Sequence, residues 1–346
     1  MNRAEIISSR LFNQRISTTG FEKPDEVVAH FGAMQAQDYA MALWAIGQRL
    51  KTPNRKDIES QINSGKIIRI HILRPTWHFV HQNDIRWMMK LSAPQVKKAT
   101  QYVDRKEGLT DDLFKKAWKI IEPQFNKVDY VTKADIMACL SRQGMVVSNL
   151  LATQLIIRAE LEMLLCNGLG KGTYALFEKR VPATDNISKS EALTKLTQLY
   201  FQSRGPATLK DLAWWSGMSL SDAKIGIAEL GRQLQVFTTA GLTYYHFEDK
   251  KDTTLPMVSA LLPCYDEYTV GYSEGRSIVL PAESDGSAIG NGIFKPTILS
   301  ENEIVGTWKK SKKSPFVEIQ VLSSGKTIPS KKRAASIERF TRFNNE

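Results

Sequence analysis

Cysteine is scarce in this chain: Cys139, Cys166 and Cys264 are the three in 346 residues, odd in number and far apart. That spacing fits neither a disulfide framework nor a zinc knuckle, which need cysteines in short, paired intervals, so the three read as reduced, mostly buried thiols. Histidine is equally sparse, at five. No His/Cys set has metal-ligand spacing, no glycine loop has the phosphate-binding pattern and no serine has a nucleophile context, so no metal or cofactor is expected. There is no run of roughly 18 apolar residues, as a membrane span would need. Arg3, Glu5 and Arg10 stand where the apolar core of a signal peptide would lie, and a cytosolic location is the expectation.

What the chain does have is an ordinary globular composition, 42% hydrophobic and 24% charged, with enough length for two or three modules. Basic residues outnumber acidic ones by 47 to 36, for a formal net charge of +11. Such an excess favours polyanions, with nucleic acid first and an anionic membrane surface second, although a merely solubilising surface has the same composition. The stretch Lys295 to Glu346 carries eleven of the basic residues and five acidic ones, making it a candidate phosphate-facing surface.

Hydrophobic periodicity places a first helix on Ile6, Ile7, Leu11 and Phe12. Pro24 opens a second, carrying Val27, Val28 and Phe31 and running into Met34-Gln35-Ala36-Gln37-Asp38. An apolar stretch around Leu43, Trp44 and Ile46 follows, then a short helix capped by Asn54 and ended by Gly65. Ile67 to Ile72 and Trp77 to Val80 are β-rich and flank Leu73-Arg74-Pro75-Thr76, a hairpin signature. Further on, Thr132-Lys133-Ala134-Asp135-Ile136 repeats as Thr208-Leu209-Lys210-Asp211-Leu212, each with Thr at a helix cap and Asp three residues on. Each is preceded by a helix, 111–125 or 188–203, and followed by another, 149–166 or 221–233. Each unit then ends in a hairpin, Gly172 to Phe177 or Val236 to Phe247 with Ala240-Gly241 at the turn. From about Leu255 short apolar runs broken by Gly, Pro, Ser and Asn take over, with period-two alternation in Phe316 to Val321. A short basic helix around Ile337 and Phe340 closes the chain.

Helix, helix, turn, helix, wing therefore occurs twice, with the N-terminal segment as a looser third copy. The expected fold class is α+β: tandem winged-helix modules at 1–108, 109–183 and 184–252, and a β-barrel-like module with a basic tail at 253–346. A winged helix offers a helix sized for the major groove and a hairpin that lies along a backbone or minor groove. The helix at 221–233 is only mildly basic, with Lys224 and Arg232 against Asp222 and Glu229, which argues against direct base reading.

Met34-Gln35-Ala36-Gln37-Asp38, Leu73-Arg74-Pro75-Thr76-Trp77-His78-Phe79-Val80, Leu262-Pro263-Cys264-Tyr265-Asp266-Glu267-Tyr268 and Val305-Gly306-Thr307-Trp308 together resemble the AlkZ-like winged-helix DNA glycosylases over most of the chain. The resemblance implies three tandem winged helices with a C-terminal β-barrel. It also implies excision or unhooking of alkylated purines, including interstrand crosslinks, and a Gln-x-Gln or Gln-x-Asp motif that falls here on Gln35 and Gln37 as the catalytic pair. The implied enzyme is a monofunctional DNA glycosylase, a monomer acting on alkylated or crosslinked double-stranded DNA without a lysine adduct. Two neutral amides suit the chemistry, because a purine alkylated at N7 or N3 is already cationic and departs neutral without a strong general acid. Amide dipoles can then favour the oxocarbenium-like sugar and hold a water. Bulky crosslinks are hard to flip out of a duplex, so an open groove is the expected site.

Around this pair, Asp38 is a candidate for electrostatic support, against a helix-end role. His71, Arg74 and His78 gather near the first hairpin turn, Arg74 suited to a phosphate and the histidines to a lesion pocket or to structural hydrogen bonds. Trp77 reads as core. Tyr244, Tyr245 and His246 in the last wing suit insertion beside a groove, although alternate residues of a strand must also face the core. Asp266 and Glu267, adjacent and diverging, read as loop anchors. The competing functional readings are a non-enzymatic winged-helix regulator or DNA-binding scaffold, and a set of protein-interaction modules.

Overall fold

Side-chain caps set where the helices begin. In the computed structural model, which describes residues 1–18, 20–248, 257–280, 294–311, 316–321 and 330–345, reciprocal capping boxes start α1 (Arg3–Asn13) at Asn2 with Glu5, and α7 (Lys133–Arg142) at Thr132 with Asp135. The same device starts α10 (Lys189–Arg204) at Ser188 with Glu191, and α11 (Leu209–Ser216) at Thr208 with Asp211. Each box pairs two donors that the first helical turn leaves without partners.

The first unit holds α1, α2 (Pro24–Phe31), α3 (Tyr39–Gly47), α4 (Arg55–Asn63) and α5 (Ile85–Lys106). Its sheet, ordered β1-β3-β2, contains β1 (Ala33–Gln35), β2 (Ile67–His71) and β3 (Trp77–His81). The second helix stops at Phe31: Gly32 turns the chain at φ 71°, and the continuation expected through Met34–Asp38 is extended strand and loop. The second unit comprises α6 (Asp111–Ile121), β4 (Val131–Thr132), α7, α8 (Asn149–Leu161), β5 (Leu165–Asn167), β6 (Thr173–Leu176) and α9 (Phe177–Arg180). Here α8 ends five residues before Cys166, because Met163 takes positive φ and the chain reverses into β5. The third unit has α10, α11, α12 (Leu220–Leu230), β7 (Leu234–Thr239) and β8 (Leu242–Phe247), the hairpin turning on Ala240-Gly241 with φ positive at both.

Four strands follow: β9 (Ala260–Leu262), β10 (Thr297–Ser300), β11 (Glu303–Lys310) and β12 (Val317–Val321), with the short helix α13 (Glu267–Val270) after β9. They pair in the order β12-β11-β10-β9, so among the described residues the expected barrel is an open sheet with β9 and β12 at its edges. Leu255, where the sequence pattern changes, lies outside the described residues. The buried edge β9 does not lack partners, since the Trp44 indole donates to the Leu261 carbonyl (2.7 Å) and Trp308 to Leu262 (2.8 Å). The basic C-terminal helix α14 (Ser330–Asn345) sets Phe340 and Phe343 against Trp44, with ring centroids 5.2 and 5.1 Å away. Gly47 permits this approach, because a Cβ there would lie 2.8 Å from the Phe343 ring.

The sheet module is tied to the first unit by one buried ion pair. Arg49 meets both carboxylate oxygens of Asp266 at 2.9 Å, and neither side chain is exposed. Asp266 also caps α13 through the Tyr268 N–H, 2.9 Å. Removing one partner of such a pair leaves an uncompensated buried charge. Asp266→Ala is therefore expected to lower unfolding free energy by about 3–5 kcal/mol, read from urea denaturation; a loss below about 1 kcal/mol would show that Arg49 re-pairs or reaches water.

Candidate functional site at the end of the first strand

Gln35 ends β1 at the edge of its sheet, opposite His78 of β3. One edge of β1 pairs with β3; the other has no neighbouring strand and would leave main-chain groups without partners in the interior. A side-chain ion pair takes the place of a strand there. Arg204 of α10 donates to the carbonyls of Phe31 (3.0 Å) and Ala33 (2.8 Å), while Glu267 Oε1 accepts the Gln35 N–H at 2.8 Å. The two join through Glu267 Oε2, 2.9 and 2.7 Å from Arg204 Nε and Nη2, and both are sealed from solvent. The position of Gln35 is thus set from α10 and α13, elements more than 150 residues away in sequence.

Past the strand Ala36 still pairs with β3, and the chain then bends at Gln37 and Asp38. The Ala36 N–H donates to the Trp77 carbonyl (2.7 Å), and the Trp77 N–H to Gln37 Oε1 (3.4 Å). Extended backbone is the condition under which side chains two apart share a face. Gln35 is 7% exposed, whereas Gln37 and Asp38 lie open to solvent. Asp38 caps α3 through the Met41 N–H, 3.1 Å. Arg69 holds the carbonyl between the two glutamines, with Nε and Nη2 at 3.1 and 2.9 Å from Ala36 O and its guanidinium 4.1 Å from the Trp77 ring centre.

Arg74 supplies the side-chain contact to Gln35, its Nη2 donating to Oε1 at 3.2 Å. Burial pushes its pKa down to about 10, and the nearby Arg204 and Arg276 add to the shift against the opposing pull of Glu267. The turn that presents Arg74 is seated on the third unit: Gly217, at φ 69°, lies so close to the Leu73 carbonyl that a Cβ would stand 2.2 Å from its oxygen. Trp214 of α11 is there too, with the Arg74 and Arg276 guanidiniums 5.4 and 5.8 Å from its ring centre. The result is a buried neutral amide with the Arg74 guanidinium at its side chain and the Glu267 carboxylate, already paired with Arg204, at its main chain. Among the described residues, no three His, Cys, Asp or Glu side chains gather as a metal would require.

The sequence pattern of the family described as DNA glycosylase AlkZ-like matches residues 28–338. The chain belongs to the AlkZ-like DNA glycosylase family. As a member it is a hydrolase of N-glycosidic bonds in DNA repair. Its fold is that of the Streptomyces sahachiroi DNA glycosylase AlkZ, with a TM-score of 0.82 at 16% identity over 100% of this chain and 97% of that one. No curated protein sequence matches.

Within the family's span the structure brings together Gln35, Gln37, Asp38 and Arg74. It holds the hairpin histidines apart from solvent: His71 Nδ1 is 2.6 Å from Glu160 Oε2 of α8, and His78, fully buried, bonds the Thr76 carbonyl at 2.9 Å. Burial first, and Arg74 second, hold the His78 pKa well below its ordinary value, so it stays neutral and is no proton donor at physiological pH. In the last wing Tyr244 is fully buried and stacked on Phe237, which removes it from any groove in this structure. Half-buried Tyr245 packs on Phe201 of α10, and His246 bonds the Phe247 carbonyl at 2.8 Å. The sequence reading missed Arg204, Arg276 and Trp214. The first two carry no local pattern, and Trp214 stands beside Trp215, which is core; adjacent helix residues point about 100° apart, and the pair is 44% and 0% exposed.

Two measurements check this arrangement. Glu267→Gln should lower kcat for base excision about tenfold or more, as displaced positioning groups do, while KM and DNA affinity stay within about twofold; an equal loss in affinity would show that Glu267 serves binding. The sign of the histidine effect is also set. With folded-state values depressed for His78, and for His30 to about 4 from 6.5, protons bind the unfolded chain preferentially. Stability is present above pH 6.5 and falls as pH drops from there toward 4, so the melting temperature should decline through that window and His30→Gln should flatten the decline.

Proposed function

We propose that the chain hydrolyses the N-glycosidic bond of N-alkylpurines in DNA, N7-alkylguanine and its interstrand crosslinks among them, with Gln35 and Gln37 as the catalytic pair. The observation that carries this reading is a neutral amide, fixed at three points, with the Arg74 guanidinium at its side chain. Gln35 is held by Glu267 through its main chain, by Arg74 through its side chain and by β3 through the sheet. A base that is already cationic needs no proton to leave. The residues then have to steady the sugar as it becomes oxocarbenium-like and position a water near C1′, and oriented amides do both without reorganising. Exposed Gln37, two residues on, holds the water from the solvent side in this reading.

In this reading the three helical units act as tandem winged helices at 1–108, 109–183 and 184–252, with 253–346 as a β-rich module bearing a basic tail. The substrate is double-stranded DNA and the chain acts as a monomer. The similarity to Streptomyces sahachiroi AlkZ and the net charge of +11 support this partner. A Gln at both positions of the motif supports hydrolysis with no lysine adduct.

Incubation with duplex DNA containing N7-methylguanine should release the modified base. Gln35→Ala and Gln37→Ala should each slow release by about 10²-fold or more, as removal of oriented electrostatic groups does, with DNA binding retained. Absence of release by the parent protein from methylated and crosslinked duplexes would overturn the proposal, and adduct trapping by borohydride would overturn its monofunctional part.

A further inference from the structure

Beside Gln35, two arginines without an ion pair stand around a partly open aromatic ring. Arg74 comes from the first hairpin, Trp214 from α11, and Arg276 from the 3₁₀ segment Glu274–Ile278. That segment is anchored to α11, since the buried Asp211 accepts the N–H groups of Ser273 (2.7 Å) and Gly275 (3.0 Å) as well as capping the helix. The Trp214 indole is oriented by its own bond to the Val270 carbonyl, 3.2 Å, and leaves 44% of its surface open.

Of the other buried arginines, Arg49 is matched by Asp266 and Arg204 by Glu267, while Arg10 and Arg69 donate to main-chain carbonyls. Among the described residues neither Arg74 nor Arg276 forms an ion pair. Arg276 donates to the Thr269 carbonyl at 2.9 Å and to that of Tyr272, and lies 4.7 Å from the Phe294 ring centre. Arg74 Nε is out of contact with solvent and has no acceptor. Both guanidiniums are partly desolvated by burial, which lowers their pKa values; Arg276 adds to the shift at Arg74, and Asp211 opposes it at Arg276. Two half-buried guanidiniums and an orphaned N–H are gathered around an exposed indole; Glu267 is already committed to Arg204 and the Gln35 N–H, and Asp211, which draws on the Arg276 charge, to the N–H groups of Thr208, Ser273 and Gly275.

We propose that Arg74, Trp214 and Arg276 form a subsite for one strand of the DNA, the guanidiniums taking backbone phosphate and the open face of Trp214 stacking against the base or deoxyribose next to the reacting nucleotide. The subsite rests on DNA being the substrate and extends the reading above to residues of the third unit and of the segment after α13. Stacking on an aromatic face and guanidinium–phosphate pairing are the two contacts that hold a single strand with little regard for sequence. Arg74 has a double part, because phosphate binding at this guanidinium competes with its hydrogen bond to Gln35 Oε1 and would free that carbonyl once DNA is seated.

The test is equilibrium binding, by fluorescence anisotropy across a KCl series, of a labelled duplex with a central tetrahydrofuran abasic site and of the intact duplex of the same sequence. Trp214→Ala should weaken binding to the abasic duplex about tenfold with an unchanged salt slope, while Arg276→Gln should weaken binding to both and reduce the slope by about one. Trp214→Phe should keep most of the affinity and Trp214→Leu should not, which separates stacking from packing and stands even if the alanine variant is unstable. Wild-type affinity and salt slope in folded Trp214→Leu and Arg276→Gln proteins would overturn the subsite. The readout is binding, so a parent protein that binds normally yet releases no base would sink the Gln35–Gln37 chemistry alone.

Discussion

Everything around Gln35 depends on the buried pair between Arg204 and Glu267. A three-residue strand at a sheet edge has too few ladder bonds to hold its end residue firmly, and in the interior its free groups carry a desolvation cost. Arg204 and Glu267 meet that cost with a donor for two carbonyls and an acceptor for one N–H, and each neutralises the other. The same pair joins α10 and α13 to β1, so three distant segments share one hydrogen-bond geometry. Asp266, next in the chain, makes the parallel connection to Arg49. Two adjacent carboxylates thereby point to different arginines, one securing the module and the other the site.

The distribution of charge follows from this. Glu267 and Asp266 are consumed structurally, His78 is kept neutral by burial, and His71 is committed to Glu160. What remains beside Gln35 is its own amide and the Arg74 guanidinium, with Gln37 and Asp38 on the solvent side. A site so composed is poorly suited to protonating a leaving group and well suited to binding a polyanion and steadying a charge that the substrate brings itself. The AlkZ-like family membership gives the kind of bond cleaved, an N-glycosidic bond in DNA.

Local signals proved readable where the physics is local. The Thr132–Asp135 and Thr208–Asp211 boxes, the Ala240-Gly241 turn and the two strands flanking Leu73–Thr76 were legible because caps and turns are settled within a few residues. The end of α2 at Gly32, the end of α8 at Leu161 and the open sheet were not. Apolar periodicity runs on past a helix end when the next strand is buried too, and barrel closure depends on pairing between strands far apart. Asp211 shows the limit of a repeat: its partner in the pattern, Asp135, caps an exposed helix, whereas Asp211 is fully buried and also anchors the segment carrying Arg276.

The amino-acid sequence by itself determined the helix starts, the hairpins, the basic excess and, through the Gln-x-Gln context, the place of the candidate pair. Only the tertiary structure decided that Gln35 is held by Glu267, that Tyr244 and His78 face inward, and that Trp214 stands open between two arginines. The reason is range: caps, turns and periodicity act within one helical turn or one strand, while the polarity around Gln35 arises from side chains brought together across some 200 residues of chain by packing and by buried pairs such as Arg204–Glu267.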